Sequence, residues 1–91
     1  MEITFDNLHN FKDLIIIDIR DNESFNKKHY PLSINIPFVS LIINMNKYLS
    51  QDKKYLLICE YGFKSQKTSL ILNKNGFCTY SLKGGIKSIC Q

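Results

Sequence analysis

Tyr55-Leu56-Leu57-Ile58-Cys59-Glu60-Tyr61-Gly62-Phe63-Lys64-Ser65 is the stretch on which the fold turns. Its first five residues form an apolar run without polar alternation, the pattern of a strand covered on both faces. Gly62 permits the positive φ that a tight turn needs. From Ser65 to Asn75 the pattern becomes helical, with Ser69, Leu70 and Leu72 on one side and Lys67 and Lys74 toward water. Gly76 follows directly, where a helix C-terminus takes a left-handed residue. Strand, turn and helix in this order make one unit of a parallel α/β fold.

Outward from this unit the same grammar repeats. Leu14-Ile15-Ile16-Ile17-Asp18-Ile19 is a second covered strand; Ser33 to Pro37 is a shorter one, and Cys78 to Leu82 is a fourth. Thr4 and Phe5 are expected to begin a minor edge strand. Asp21 to Phe25 reads as a helix of one or two turns. Val39 to Leu49 reads as a longer one, with Leu41, Ile42, Met45, Tyr48 and Leu49 at helical spacing. The expected architecture is a three-layer α/β/α domain with a mainly parallel central sheet. In such folds the ligand site lies beyond the carboxyl ends of the strands. No repeat, linker or low-complexity segment divides the chain, so one domain over 1–91 is expected.

Composition narrows the functional classes. Apolar residues make up 44% of the 91, enough for one compact core. The net charge of +4 comes from lysines scattered between Lys12 and Lys87, with Arg20 the only arginine. Dispersed lysine is a solvated surface with an attraction for small anions, and argues against a nucleic-acid partner. Cys59, Cys78 and Cys90 show no C-x-x-C spacing, so neither a disulfide framework nor a metal site is expected. A reducing cytoplasm is the compartment that fits. The polar, acidic start Met1 to Asp6 has no basic region leading into an apolar run, so no targeting segment is expected. Leu14 to Ile17 is far short of the ~20 residues that cross a bilayer, so no membrane association is expected either.

Chemistry converges on Cys59. It ends a buried strand and faces a turn whose backbone N–H groups converge, followed by the positive end of a helix dipole. That setting favours negative charge on sulfur, and the ionised sulfur is the nucleophile. Glu60, Tyr61, Gly62, Phe63, Lys64 and Ser65 form the expected substrate-binding loop, with Lys64 supplying a mobile charge for an anionic donor. Position alone also fits a cysteine that is a small buried hydrophobe. Asp18, at the end of its own strand, needs a partner, and Arg20 two residues on can supply bidentate hydrogen bonds.

From Ile17 to Gly85 the chain resembles a single-domain rhodanese. That family typically reads Asp-x-Arg, then Gly-His-Ile-x-Gly-Ala-x-Asn-x-Pro, Cys-x-x-Gly-x-Arg-Ser, Gly-Phe and a Gly-Gly pair. Here Asp18 and Arg20 stand for the first element, and His29, Asn35 and Pro37 for parts of the second. Cys59, Gly62, Lys64 and Ser65 match the active loop, with lysine in place of arginine, and Gly76-Phe77 and Gly84-Gly85 complete the order. The family's Gly-His is Lys28-His29 here and its Gly-Ala is Leu32-Ser33. The tryptophan common after the Gly-Gly pair is missing, and Glu60 sets a negative charge beside the cysteine.

The resemblance implies a sulfurtransferase of the thiosulfate:cyanide class, without cofactor or metal. Cys59 takes sulfur from a small anionic sulfane donor such as thiosulfate and passes it to a thiol or protein acceptor. Asp18 and Arg20 are implied to be structural supports. His29 is expected to cap or pack rather than act as a base. Neither Cys78 nor Cys90 is assigned a role. The protein is expected to be a monomer or weak dimer. Two other readings remain. One is a non-catalytic or redox-sensing module of the same family. The other is a phosphatase on the same scaffold, whose loop is one residue longer with arginine six positions after the cysteine, where this chain has Ser65.

Overall fold

The computed structural model describes residues 1–89, so Cys90 lies outside the described residues. The chain runs β1 (Glu2–Ile3), a 3-10 turn (Phe5–Asn10), β2 (Leu14–Asp18), α1 (Asn22–Lys27) and β3 (Ile34–Asn35). It continues through α2 (Phe38–Ile43), α3 (Met45–Tyr48), β4 (Lys54–Ile58), α4 (Phe63–Lys74), β5 (Cys78–Leu82) and a second 3-10 turn (Gly85–Ser88). The five strands make one parallel sheet in the order β1-β5-β4-β2-β3.

The apolar run from Tyr55 to Cys59 becomes the centre of the sheet. Strand side chains alternate between faces, and both faces are packed. Tyr55, Leu57 and Cys59 join Ile17, Ile19, Leu41, Leu49, Leu72 and Phe77 in the core beneath α2, α3 and α4. Leu56 and Ile58 join Ile3, Leu82 and Ile86 on the opposite face, beneath the 3-10 turns. Leu56, Leu57 and Ile58 are each 0% exposed; burial of such a side chain stabilises by about 1.5–3 kcal/mol. Coverage on both faces explains why the run carries no polar alternation.

Local departures from expectation have local causes. The edge strand is Glu2–Ile3 instead of one starting at Thr4. Ile3 is the side chain that buries, while Thr4 caps the 3-10 turn by accepting the Asn7 N–H at 3.2 Å. The expected helix over Val39 to Leu49 is broken at Asn44, whose backbone (φ −120°, ψ 38°) separates α2 from α3. Its side-chain amide bonds the Ser40 carbonyl at 3.3 Å, the local competition by which asparagine interrupts helices. Leu41 and Leu49 are buried as the spacing predicts, but Tyr48 is exposed. In α4 the buried positions are Ser65, Thr68, Ser69 and Leu72, and Leu70 is exposed. A hydropathy pattern misplaces that face because most of it is hydroxyl. Gly76 takes φ +94°, ending α4 as expected.

Candidate active site

β4 delivers Cys59 to the carboxyl edge of the sheet, and the chain turns back into α4 through Gly62 at φ +100°. This turn aims two backbone donors at one atom. The Gly62 N–H lies 3.1 Å from Cys59 Sγ and the Ser65 N–H 3.2 Å. The Ser65 hydroxyl is a third neighbour at 3.3 Å. Amides at a helix start have no partner within the helix, and here the sulfur is theirs. The arrangement gathers three polar neighbours around a single sulfur atom.

A second element fixes the loop from beneath. The Ile86 N–H donates to the Cys59 carbonyl at 2.8 Å and the Lys87 N–H to the Glu60 carbonyl at 3.2 Å. Both donors belong to the 3-10 turn that Gly85 opens. A Cβ on Gly85 would stand 2.5 Å from the carbonyl oxygens of both Cys59 and Glu60, and φ there is +64°. Only glycine lets the two backbones approach this closely.

Arg20 ties the loop to β2. Its Nε donates to Asp18 Oδ1 at 3.0 Å and Oδ2 at 3.1 Å, and its Nη2 to Oδ2 at 2.8 Å. The same guanidinium reaches the Lys28 carbonyl at 2.6 Å and Glu60 Oε1 at 3.3 Å. Hydrogen bonding to Asp18, foremost, and to Glu60 raises the Arg20 pKa above its already high ordinary value. Asp18 is fully buried, and Asn35 clamps the corner by donating to the Asp18 and Arg20 carbonyls at 3.0 and 2.9 Å. The expected bidentate pair is therefore present, its carboxylate buried and its guanidinium partly so.

A hollow of about 360 Å³ opens above the cysteine, lined by Arg20, Asp21, Ser24, Cys59, Glu60, Tyr61, Phe63 and Lys64. The expected loop residues divide around it. Tyr61 and Phe63 are exposed at its rim. Lys64 holds its Nζ 4.8 Å from the centre of the Phe38 ring, a cation–π contact. Glu60, expected to oppose the local positive potential, has its carboxylate compensated by Arg20 and by Lys87 Nζ at 3.5 Å. Ser65 lies wholly buried beneath the sulfur. Cys59 itself is 4% exposed, so only a narrow aperture reaches the sulfur.

Other candidates fall elsewhere. His29 stacks on Phe25 with ring centres 3.8 Å apart and Nδ1 2.7 Å from the Phe25 carbonyl oxygen, a packing role. Cys78 pairs with Lys54 at the start of β4; at 3.3 Å per residue that is about 16 Å along the strand from Cys59. Among the described residues no group of three His, Cys, Asp or Glu is placed to hold a metal ion. No described helix is long and apolar enough to cross a membrane.

Sequence reasoning missed Ser81. Its hydroxyl sits 3.1 Å from Ser65 Oγ, fully buried on β5. One turn along α4, Ser69 Oγ meets Thr79 Oγ1 at 2.7 Å. The signal was the match of two periods: Ser65 and Ser69 four apart on a helix, Thr79 and Ser81 two apart on a strand.

Residues 4–91 match the family model described as the rhodanese-like domain. Among curated relatives, the chain is 30% identical over 78 residues to the thiosulfate sulfurtransferase GlpE of Coxiella burnetii, covering 85% of this chain and 72% of that one. It is 36% identical over 83 residues to the tRNA uridine(34) hydroxylase of Pelagibacter ubique, but spans only 27% of that protein. Of solved structures, a rhodanese-related protein from Thermoplasma volcanium superposes with a TM-score of 0.85 at 32% identity, covering 96% of this chain and 87% of that one.

Proposed function

The chain belongs to the rhodanese-like domain family, and on that premise we propose that it is a sulfurtransferase working through a persulfide on Cys59. The Cys59 thiolate attacks the outer sulfur of a small anionic donor such as thiosulfate. The donor's S–S bond breaks, sulfite leaves with the bonding pair, and Cys59 carries the transferred sulfur. A thiolate of a small-molecule or protein acceptor, or cyanide in the assay, then attacks that sulfur, and Cys59 departs as thiolate. No external oxidant or reductant is needed, because each step exchanges one S–S or S–C bond for another.

The observation that carries this reading is the pair of amides 3.1 and 3.2 Å from Cys59 Sγ. Preorganised donors of this kind stabilise an anionic sulfur as nucleophile and as leaving group. Lys64 on the rim supplies attraction for an anionic donor. The similarity to the tRNA hydroxylase covers too little of that protein to suggest its reaction here.

Mass spectrometry after thiosulfate treatment tests the proposal. The expected result is a gain of about 32 Da, one sulfur atom, on the Cys59 peptide. It is lost in Cys59→Ser and kept in Cys78→Ser and Cys90→Ser, with thiosulfate:cyanide activity following the same pattern. Absence of the adduct on the wild-type chain overturns the proposal and leaves a binding or redox-sensing module.

A further inference from the structure

Ser65 Oγ stands at the centre of a buried cluster: Cys59 Sγ at 3.3 Å, the Gly62 carbonyl oxygen at 3.2 Å and Ser81 Oγ at 3.1 Å. A hydroxyl has one proton and two lone pairs, so its neighbours dictate where that proton points. Among the described residues, Ser65 Oγ is the partner of the Ser81 hydroxyl. Ser81 is 0% exposed, and a buried hydroxyl proton without an acceptor is costly. The Ser81 proton therefore goes to Ser65 Oγ, and the Ser65 proton is directed away from Ser81, to the Gly62 carbonyl or to the sulfur.

These two acceptors match two states of Cys59. When the sulfur carries its proton, S–H donates to Ser65 Oγ and Ser65 donates to the Gly62 carbonyl. When the sulfur is ionised, Ser65 can rotate its proton onto Sγ. The Gly62 carbonyl is not stranded by the rotation, because it also accepts the Gln66 N–H at 3.1 Å. Ser81 donates to Ser65 in both states. Without it, the Ser65 lone pair left behind would lie buried and unpaired in the ionised state.

We propose that Ser81 is a positioning residue: it holds the Ser65 hydroxyl with its proton directed at the Cys59 sulfur whenever that sulfur is charged. The inference rests on the reading of Cys59 as an ionised nucleophile, and adds a buried hydroxyl pair behind the two amides. It places part of the sulfur's environment on β5, outside the loop that carries the cysteine.

Alkylation by iodoacetamide, followed on the Cys59 peptide by mass spectrometry, tests this without any sulfur donor. Ser81→Ala should slow Cys59 alkylation at neutral pH about two- to tenfold, the net worth of one ordinary intramolecular hydrogen bond. The rate should return to wild type in strongly alkaline solution, where the thiol ionises regardless. Ser81→Thr keeps the hydroxyl and should keep the rate. In a Ser65→Ala background, Ser81→Ala should add no further slowing. An unchanged rate in Ser81→Ala, or the same slowing with and without Ser65, would overturn the proposal. Should Ser81→Ala fail to fold, Ser65→Ala decides: alkylation at the wild-type rate leaves Ser81 nothing to act through. A thiosulfate adduct on wild-type Cys59 is scored separately, so failure of the sulfurtransferase reading and failure of the Ser81 reading are distinguished.

Discussion

Lys64 lines the hollow above Cys59, its ammonium resting over the Phe38 ring. A lysine ammonium on a flexible stem makes a looser contact with an anion than arginine's planar fork. On the proposed function its contribution should fall on donor capture more than on the sulfur-transfer chemistry. For Lys64→Ala the KM for thiosulfate should rise several-fold with kcat falling less, the signature of lost uniform binding. Lys64→Arg should keep or improve activity. Raising ionic strength should cost the wild type more kcat/KM than the alanine variant, which lacks that charge to screen. An unchanged KM in Lys64→Ala would mean that the loop amides capture the donor alone. At this same scale the ion-pair partners of Glu60 were not legible in the sequence, because Arg20 lies 40 residues earlier and Lys87 27 residues later, separations that no local pattern brings together.

The loop from Cys59 to Ser65 is held by a different element, the 3-10 turn after β5. Gly85→Ala would push a methyl group into the Cys59 and Glu60 carbonyls while forcing alanine to φ +64°. Such a position costs about 1–3 kcal/mol in strain alone. The expected outcome is a lowered melting temperature together with loss of most transferase activity, because the loop must shift to make room. Full activity in a folded Gly85→Ala protein would show that the turn does not hold the loop. The sequence carried the Gly-Gly pair as a family feature, without its mechanical reason. Strands were legible where burial on both faces demands unbroken apolar runs, as in β2 and β4. Elements governed by side-chain competition with the backbone were not. Asn44 splits a helix whose apolar spacing is intact, and Thr4 trades strand for cap. The seam between α4 and β5 escaped for a third reason. Serine and threonine count as polar, yet Ser65, Ser69, Thr79 and Ser81 bury by satisfying one another.

At the scale of the whole molecule, the parallel sheet sorts chemistry by end. β2 and β4 both deliver their final residues to one edge, where Asp18 pairs in register with Ile58. Cys59 follows immediately, so Asp18, Arg20 and the loop meet at the carboxyl end that was expected to hold the ligand site. Cys78 starts β5 beside Lys54, at the opposite end of the sheet from Cys59. This arrangement makes the Asp18–Arg20 pair a joint between β2, the segment after α1 and the cysteine loop. Their side chains are 1% and 10% exposed, so removing the carboxylate strands a nearly buried guanidinium. Breaking a buried pair by deleting one partner costs about 3–5 kcal/mol, a large share of the stability of a domain this small. Asp18→Ala should therefore lower the melting temperature by well over ten degrees, since about 1 kcal/mol moves Tm by 4–8 °C at this size. Glu60 sits at the other end of the same guanidinium and is partly exposed, so Glu60→Gln should leave Tm nearly unchanged. Calorimetry on the two variants separates the contributions. A melting temperature in Asp18→Ala within a degree or two of wild type would mean that Lys28 and Glu60 suffice to hold Arg20, and that the joint does not depend on its buried carboxylate.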